Sequence, residues 1–439
     1  MAARRFSFLG VWAAVLSGVI GIAAAFNLAM DPYRYFGLEW RGINDRKPRP
    51  DIELTAIKRA AASHVQANAV VLGNSRADIG FDPDHPVWAA RSLSAFNLAV
   101  PGSGIDAALR NLEWLSSRRQ LRQVIVGLEF LDFLNEPDWA ESAPAATGDP
   151  VTAAEKVRAL FSVAALRDSV NTLGMRWDPY AATMTARGFN PLRDYIPIAA
   201  HDGYNLLFRQ RAQDYARQYV KIGDRARDFE RPKSRAIVAL TRILALCRER
   251  KVDLALVIYP YHANMLLMID GAELWDAFGD WKRTMTRLVA ASASVPGGPS
   301  IQLWDFSGFH RYATEAIPQP GDRTTELAYY WEGGHFKKAL GDLMLERILG
   351  NGGDRTFGAL LTPDAVELVV VQQNAALSAY RAAHPAAARE IRQMLRMECR
   401  ASGAVVQSRL CATIGSDTAA TRPDTHSPGK GDLARARQD

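Results

Sequence analysis

The sequence predicts an α/β protein built on a parallel sheet of five strands. Two observations support this fold class: five apolar runs have the length of buried strands, and helical patterns separate them. Strands that alternate with helices are typical of parallel sheets. The chain has 439 residues, 48% hydrophobic and 23% charged, which is enough for a large core. The predicted strands are 69–73, 95–100, 123–130, 254–260 and 301–308.

Three of the predicted helices are recognised by apolar residues that recur on one helical face. One follows the second strand, one precedes the fourth and one follows the fifth. Ser103 and Asp106 have the spacing of a capping box at the start of the first of them. The three apolar faces comprise Ile105, Ala108, Leu109, Leu112 and Leu115; Ile237, Leu240, Leu244 and Cys247; and Leu340, Leu343, Met344 and Ile348.

About a hundred residues separate the third and fourth strands, far more than a usual crossover. We predict a helical and aromatic insertion over about 135–233, with helices near 151–173 and 203–220. A small local core is the simpler interpretation of its aromatic residues, and a lid over a cleft is the alternative.

Residues 6–30 are uncharged, and as a helix of about 1.5 Å per residue they exceed a hydrocarbon core of about 30 Å. We predict an uncleaved transmembrane anchor over 1–30, because a secretory apolar region is usually shorter. More basic residues follow the span than precede it, so charge counting alone does not orient it. Large trailing domains translocate largely regardless of charge, and we place the main domain outside the cytoplasm.

The rest of the chain divides into a juxtamembrane linker over 31–64, the α/β domain over 65–350, a helical extension over 351–414 and a disordered tail over 415–439. Cys247 is expected to be a buried thiol. Cys399 and Cys411 lie close together, and an oxidising compartment would permit a disulfide without requiring one. The net charge of +6 is scattered, so we expect no nucleic-acid partner.

Polar and titratable residues follow every predicted strand. Ligands of open α/β sheets bind beyond the carboxyl ends of the strands, so these residues are expected to converge. In chain order they are Asn74, Ser75 and Arg76; Gly102; Glu129; His262; Asp305; and Glu332 and His335, which precede the last helix of the α/β domain.

A serine, a histidine and a carboxylate in this set have the residue types of nucleophilic catalysis. A serine hydroxyl becomes reactive when a neighbouring imidazole takes its proton, and that imidazole needs a partner that fixes its tautomer. Ser75, His335 and Glu332 would fill these positions. No tight spacing of metal ligands exists among the carboxylates and histidines, so we expect no metal and no other cofactor.

Three short blocks carry a family resemblance: GNSR at 73–76, NLAVPGSG at 97–104 and EGGH at 332–335. With them the chain resembles the SGNH (GDSL-like) hydrolase superfamily over about 65–350, and more narrowly its membrane-anchored bacterial members associated with surface polysaccharides. The resemblance implies a flavodoxin-like sheet, Ser75 as nucleophile, His335 as base, Glu332 as the acid that orients it, and Gly102 as an oxyanion-hole amide.

The sequence departs from the family pattern at two positions. The family usually has Gly-x-Asn after the third strand, and Glu129 stands where that Asn would donate to the oxyanion. Either Glu129 is protonated, or it pairs with Arg76, or the oxyanion hole is rebuilt, or the protein is not a hydrolase. Glu332 replaces the family Asp, a milder change.

Asn74, Arg76, Glu129 and His262 are further candidates for oxyanion or substrate contacts. A buried ion pair is the simpler interpretation of Arg76 with Glu129. A helix-start role explains His262 as well as substrate binding does.

The expected function is a serine esterase or O-acyltransferase that acts on acyl, such as acetyl, esters of a cell-envelope or exported polysaccharide through an acyl-Ser75 intermediate. The resemblance implies a single-pass protein of the bacterial inner membrane with a periplasmic main domain. Its expected partners are an acylated glycan, the membrane and envelope assembly proteins. The alternative is a catalytically inactive scaffold of the same fold that binds glycan or a partner in polysaccharide assembly.

Overall fold

The computed structural model describes residues 8–50, 53–134, 150–222, 229, 234–293, 297–350, 352–402 and 409–416. It is a mixed α/β molecule with a mostly parallel central sheet and an apolar N-terminal helix. The strands are β1 Lys47–Pro48, β2 Ala69–Leu72, β3 Ala95–Asn97, β4 Gln123–Leu128, β5 Thr183–Met184, β6 Asp253–Ile258, β7 Ile301–Asp305, β8 Tyr330–Glu332, β9 His335–Phe336 and β10 Ala359–Leu360.

Helices flank the sheet on both faces, and a 3₁₀ helix spans Phe130–Phe133. The α-helices are α1 Phe8–Met30, α2 Leu54–His64, α3 Ser75–Gly80, α4 Pro86–Ala90, α5 Ile105–Ser116, α6 Ala153–Phe161, α7 Val163–Gly174, α8 Tyr195–Asp202, α9 Tyr204–Ile222, α10 Arg235–Arg250, α11 Ala263–Gly271, α12 Trp275–Ala293, α13 Lys338–Leu349, α14 Val366–Ala383, α15 Pro385–Ala401 and α16 Arg409–Ser416.

The central sheet has the spatial order β10–β7–β6–β4–β2–β3. Five of these strands are parallel, as the sequence predicts, and β10 pairs antiparallel with β7 at the edge. The edge strand was not predicted, because Ala359–Leu360 is too short to give a strand pattern. The strand order reverses between β2 and β4, which are the first and third parallel strands along the chain.

The strands are apolar because side chains from both of their faces are buried. In β2, Val70 and Leu72 pack into the core on one side of the sheet, while Ala69 and Val71 pack on the other. The predicted runs extend beyond the hydrogen-bonded strands: Tyr259, for example, follows β6 and is fully buried.

The three predicted amphipathic helices are α5, α10 and α13, and their predicted apolar residues are buried or half-buried. The predicted capping box of α5 is wrong. Its N-cap residue is Gly104, which has no side chain to cap with. Ser103 instead donates its hydroxyl to the Val100 carbonyl at 2.7 Å, and Asp106 pairs with Arg110 at 2.8 Å. The helix starts one residue later than the motif would require.

The predicted insertion contains α6, α7, α8 and α9; residues 135–149, at its start, lie outside the described residues. Tyr204 and Phe208 pack in the core beside the central sheet, in one cluster with Val71 of β2, and not in a small core of the insertion's own. Phe189, Tyr204 and Phe208 are buried, whereas Trp177 and Tyr180 are exposed.

Part of the predicted linker is built into the domain. Residues 54–64 form α2, and its fully buried Lys58 pairs with Asp78 at 2.5 Å. In the helical C-terminal extension, Cys399 and Cys411 form a disulfide, and Cys247 is a buried free thiol. Residues 417–439, most of the predicted disordered tail, lie outside the described residues.

Candidate active site

The site lies where the chain leaves β2 and β3. The Val100 N–H donates to the Gly73 carbonyl at 2.9 Å, so the loop that contains Gly102 runs beside the loop that contains Ser75. Asn74 caps α3 by accepting a hydrogen bond from the Arg76 N–H at 3.1 Å. This cap places Ser75 as the first residue of the helix, at the carboxyl end of a buried strand.

Ser75 and His335 are in direct contact although 260 positions separate them. The distance from Ser75 Oγ to His335 Nε2 is 2.7 Å, and the other ring nitrogen, Nδ1, contacts a carboxylate oxygen of Glu332. Both partners belong to a tight hairpin in which Glu332 of β8 pairs with His335 of β9. The hairpin therefore fixes the acid beside the base, and the packing of the sheet brings the serine to them.

Glu332 is buried, at 2% exposure, yet it is held as an anion. Its Oε2 accepts the Gly334 N–H at 2.6 Å, and its Oε1 lies 3.0 Å from Nε of Arg211. Burial alone would raise the pKa of Glu332, but the charge and hydrogen bond of His335, the Arg211 guanidinium and the Gly334 N–H outweigh it and lower the pKa to about 2.

Arg76 and Glu129 form a buried ion pair. The Arg76 guanidinium also donates to the Tyr215 hydroxyl and to the Gly334 carbonyl, the latter at 2.5 Å. Tyr261 donates its hydroxyl to the second carboxylate oxygen of Glu129 at 2.9 Å. The predicted ion pair of Arg76 with Glu129 is thus confirmed, and through the Gly334 carbonyl it supports the hairpin.

His262 takes the helix-start role, one of the two roles that the sequence left open. It is the N-cap of α11, where Nδ1 accepts the Asn264 N–H at 3.1 Å. Its Nε2 lies 2.8 Å from the Glu315 carbonyl oxygen, and the ring is 1% exposed. Burial lowers the pKa of His262 to about 4, against a smaller opposing effect of the Glu315 hydrogen bond. With the Asn264 N–H at Nδ1 and the Glu315 carbonyl at Nε2, both ring nitrogens of His262 have protein partners.

Asp305 lies in a separate polar cluster. Its carboxylate accepts the Ser307 N–H at 2.9 Å, which caps the loop after β7, and pairs with the buried Lys282 at 2.8 Å. Within the part of the chain that the structure describes, no group of three or more His, Cys, Asp or Glu residues is placed to hold a metal ion.

The backbone of Gly102 is open, and its loop lies beside the β2–α3 turn that leads to Ser75. Its φ of +70° suits glycine, the residue is exposed, and no heavy atom lies within 4 Å of the position that a Cβ would take. Among the described residues, no side chain or backbone atom therefore covers the position of the missing Cβ. The chemistry that the arrangement supports is proton transfer from the serine hydroxyl to the imidazole at Nε2, with Nδ1–H directed at an anion.

Three residues of the site were not among those predicted: Arg211 and Tyr215 of α9, and Tyr261 after β6. Arg211 and Tyr215 are one helical turn apart, so they face the same side of α9. The spacing was visible in the sequence, but nothing in it indicated that this helix of the insertion packs beside β8. Tyr261 stands next to His262 in the sequence, and the histidine was the more obvious candidate.

In comparisons with known proteins, no protein-family model matches this chain and no curated protein matches it significantly in sequence.

Proposed function

We propose that the protein is a membrane-anchored serine esterase or O-acyltransferase that acts on acyl, such as acetyl, esters of a cell-envelope or exported polysaccharide. The observation that carries the proposal is the chain of contacts from Ser75 Oγ through His335 to Glu332, with 2.7 Å between the hydroxyl oxygen and Nε2. This geometry supplies a nucleophile, its base and the carboxylate that orients the base.

In the proposed reaction, Ser75 Oγ attacks the ester carbonyl carbon while His335 Nε2 takes the hydroxyl proton. The oxyanion that forms is stabilised by the backbone N–H groups of Ser75 and Gly102. Collapse breaks the bond to the sugar oxygen, which leaves with the proton from Nε2, and the acyl group stays on Ser75. Water or a second sugar hydroxyl then attacks the acyl-serine by the same steps and releases it.

Two further observations support membership of the SGNH superfamily. The five parallel strands follow the spatial order of flavodoxin-like sheets, and the site lies next to the point where the order reverses. The family's oxyanion Asn is replaced by Glu129, but the charge of Glu129 is balanced by Arg76 and bonded by Tyr261. A carboxylate at the position of the oxyanion Asn was the main argument for a non-catalytic scaffold, and the pairing of Glu129 with Arg76 weakens that argument.

The membrane anchor is α1, whose 23 residues are long and apolar enough to cross a bilayer. We propose that it spans the bacterial inner membrane once and that the α/β domain lies in the periplasm. The polysaccharide substrate follows from the resemblance to membrane-anchored members of the family. Envelope assembly proteins are the partners proposed with it.

The test is ester hydrolysis by the detergent-solubilised full chain, with 4-nitrophenyl acetate as substrate. We expect Ser75→Ala to lower the rate by about a thousandfold or more, because the nucleophile is lost. Ser103→Ala is the matched control, since this neighbouring hydroxyl only donates to the Val100 carbonyl, and it should retain the wild-type rate.

Equal rates in Ser75→Ala and the wild type would overturn the proposed mechanism. A folded wild type with no hydrolysis and no acyl transfer to a glycan hydroxyl would favour the inactive scaffold. With an acetylated glycan as substrate, an esterase releases free acetate. An acyltransferase instead moves the acetyl group to a second glycan.

A further inference from the structure

The last two turns of α1 are packed against the insertion. Helices α6 and α7 both contact α1. Asn27, which is buried, donates to the Leu160 carbonyl at 2.8 Å and accepts the Ser169 hydroxyl at 2.9 Å. Beyond Met30 the chain folds back, and the Asn44 side chain donates to the carbonyls of Ala29 and Met30. The carboxyl end of the proposed span is thus held by protein on several sides.

The remaining length of α1 is too short to cross a bilayer alone. Every residue of Phe8–Ile22 is exposed, and as helix this stretch is about 22 Å long, against a hydrocarbon core of about 30 Å. In the sequence, only two further uncharged residues separate this stretch from Arg5, so the uncharged run up to Ile22 has 17 residues, against about 20 in a usual span. If α1 crosses the membrane, its packed last turns must therefore lie at the depth of the bilayer, together with the elements that surround them.

Those elements expose large apolar side chains, which we call the collar. Each collar residue is close in sequence to a residue that bonds the end of α1 or packs on it. Val163 is 83% exposed and Phe161 59%, and what distinguishes them from single exposed apolar residues elsewhere is that they are grouped beside the end of α1. The collar comprises Trp40, Ile43, Val157, Phe161, Val163 and Val170.

The insertion helices are held firmly to the rest of the domain. Ala159 of α6 packs in a small core with Tyr35, Ile57 and Met184, which come from the juxtamembrane segment, α2 and β5. Tyr33 donates its hydroxyl to Asp168 of α7 at 2.6 Å. A membrane contact made by α6 and α7 would therefore set the position of the whole domain.

We infer that the collar is a second membrane contact, seated in the interfacial region of the bilayer that α1 crosses. The inference rests on the proposed transmembrane role of α1. Tryptophan and large apolar residues beside a span are the side chains that the membrane interface favours. The contact would hold the α/β domain against the membrane, where its substrate would have to be presented.

The test uses single cysteines that carry a bimane fluorophore, in the full chain reconstituted into phosphatidylcholine vesicles. Native thiols do not interfere, because Cys247 is buried and Cys399 is bonded to Cys411. Val163→Cys probes the collar and Val15→Cys the middle of α1. Val371→Cys is the matched control: it is 60% exposed on α14, a helix that packs on α12 beside the β7 side of the sheet.

Vesicles with brominated acyl chains report the depth of each fluorophore. We expect bromine near the bilayer centre to quench position 15, bromine near the headgroups to quench position 163, and neither to quench position 371. Quenching at position 15 with none at position 163 would overturn the collar and leave the span intact. A blue-shifted but unquenched fluorophore at position 163 would mean that protein, such as a second copy, covers the collar. Absence of quenching at position 15 would refute the span, and the collar with it.

Discussion

At the scale of single residues, the proposed chemistry depends on a charge that burial would otherwise suppress. Glu332 is inside the protein, and its anion persists because His335, Arg211 and the Gly334 N–H all stabilise it. Its pKa of about 2 keeps it ionised near neutral pH. The carboxylate is therefore available to orient His335, and changes in activity near neutral pH will not come from its titration.

The buried histidine His262 predicts a pH dependence of stability. Its pKa falls from 6.5 to about 4 on folding. At a pH between these two values, the histidine is protonated in the unfolded chain and neutral in the folded chain. Stability is therefore lost as the pH falls from about 6.5 to about 4, and the contribution reaches on the order of 3 kcal/mol. The measurement is the thermal midpoint of the full chain in detergent at several pH values.

We expect His262→Asn to reduce this dependence, because asparagine can still cap α11 but does not titrate, while the buried His310, whose pKa burial also lowers to about 4, keeps its own contribution. The variant will be less stable overall, since the ring contacts with Phe208 and Tyr330 are lost, so the slope is the informative quantity. His384→Asn, at an exposed position, serves as the control and should keep the wild-type slope. An unchanged slope in His262→Asn would show that other groups cause the acid destabilisation.

Some residues of the site could be predicted because each stands in a short sequence block, either after a strand or, for Glu332 and His335, before the last helix of the α/β domain. Ser75, Gly102, Glu332 and His335 were found in this way, and the structure joins Ser75, His335 and Glu332 by direct contacts. For His262 the sequence left two roles open, because a histidine after a strand serves a helix cap as well as a substrate. Only the contacts of both ring nitrogens separate the two roles.

At the scale of secondary-structure elements, α9 links the insertion to the site. Its Arg211 lies 3.0 Å from the same carboxylate oxygen that contacts His335, and its Tyr215 contacts Arg76. A Cβ at Gly334 would lie 3.1 Å from the Tyr215 hydroxyl, so α9 packs closely against the β8–β9 turn. The insertion therefore helps to hold the acid and the base.

We expect Arg211→Gln to lower kcat by about tenfold to a hundredfold, because Glu332 loses a partner that positions it. KM should change little, and Arg211→Lys should recover part of the rate by restoring the charge. Arg209→Gln is a matched control on the same helix, since Arg209 is exposed and only pairs distantly with Glu390 at 3.8 Å. The kinetic constants are measured by ester hydrolysis.

A loss of binding alone in Arg211→Gln would assign this residue to substrate contact instead. Full activity in this variant would show that the hairpin and the Gly334 N–H orient Glu332 without α9.

The elements were predictable to the extent that their patterns are local. The five parallel strands and the faces of α5, α10 and α13 follow from apolar spacing within one segment. The packing of α9 beside β8 depends on contacts between distant segments, and no pattern within either segment encodes it. The start of α5 was predicted one residue too early. Ser103 and Asp106 have the spacing of a capping box, but the N-cap of the helix is Gly104.

At the scale of the whole molecule, the proposed topology places the α/β domain outside the cytoplasm. The disulfide between Cys399 and Cys411 agrees with an oxidising compartment. We expect a membrane-impermeant maleimide to label Leu368→Cys in intact bacterial spheroplasts, because this side chain is 61% exposed. The wild type should remain unlabelled. Labelling that appears only after the membrane is dissolved would place the domain in the cytoplasm.

The central claim is that Ser75 is a nucleophile activated by His335. The most direct measurement is mass-spectrometric mapping of the adduct that a fluorophosphonate forms with the detergent-solubilised full chain, because this reagent reacts with activated serines. We predict one adduct on the peptide that contains Ser75, none on that peptide in Ser75→Ala, and much slower labelling in His335→Gln. A folded wild-type protein that forms no adduct, or forms it with equal rate in His335→Gln, would contradict the claim.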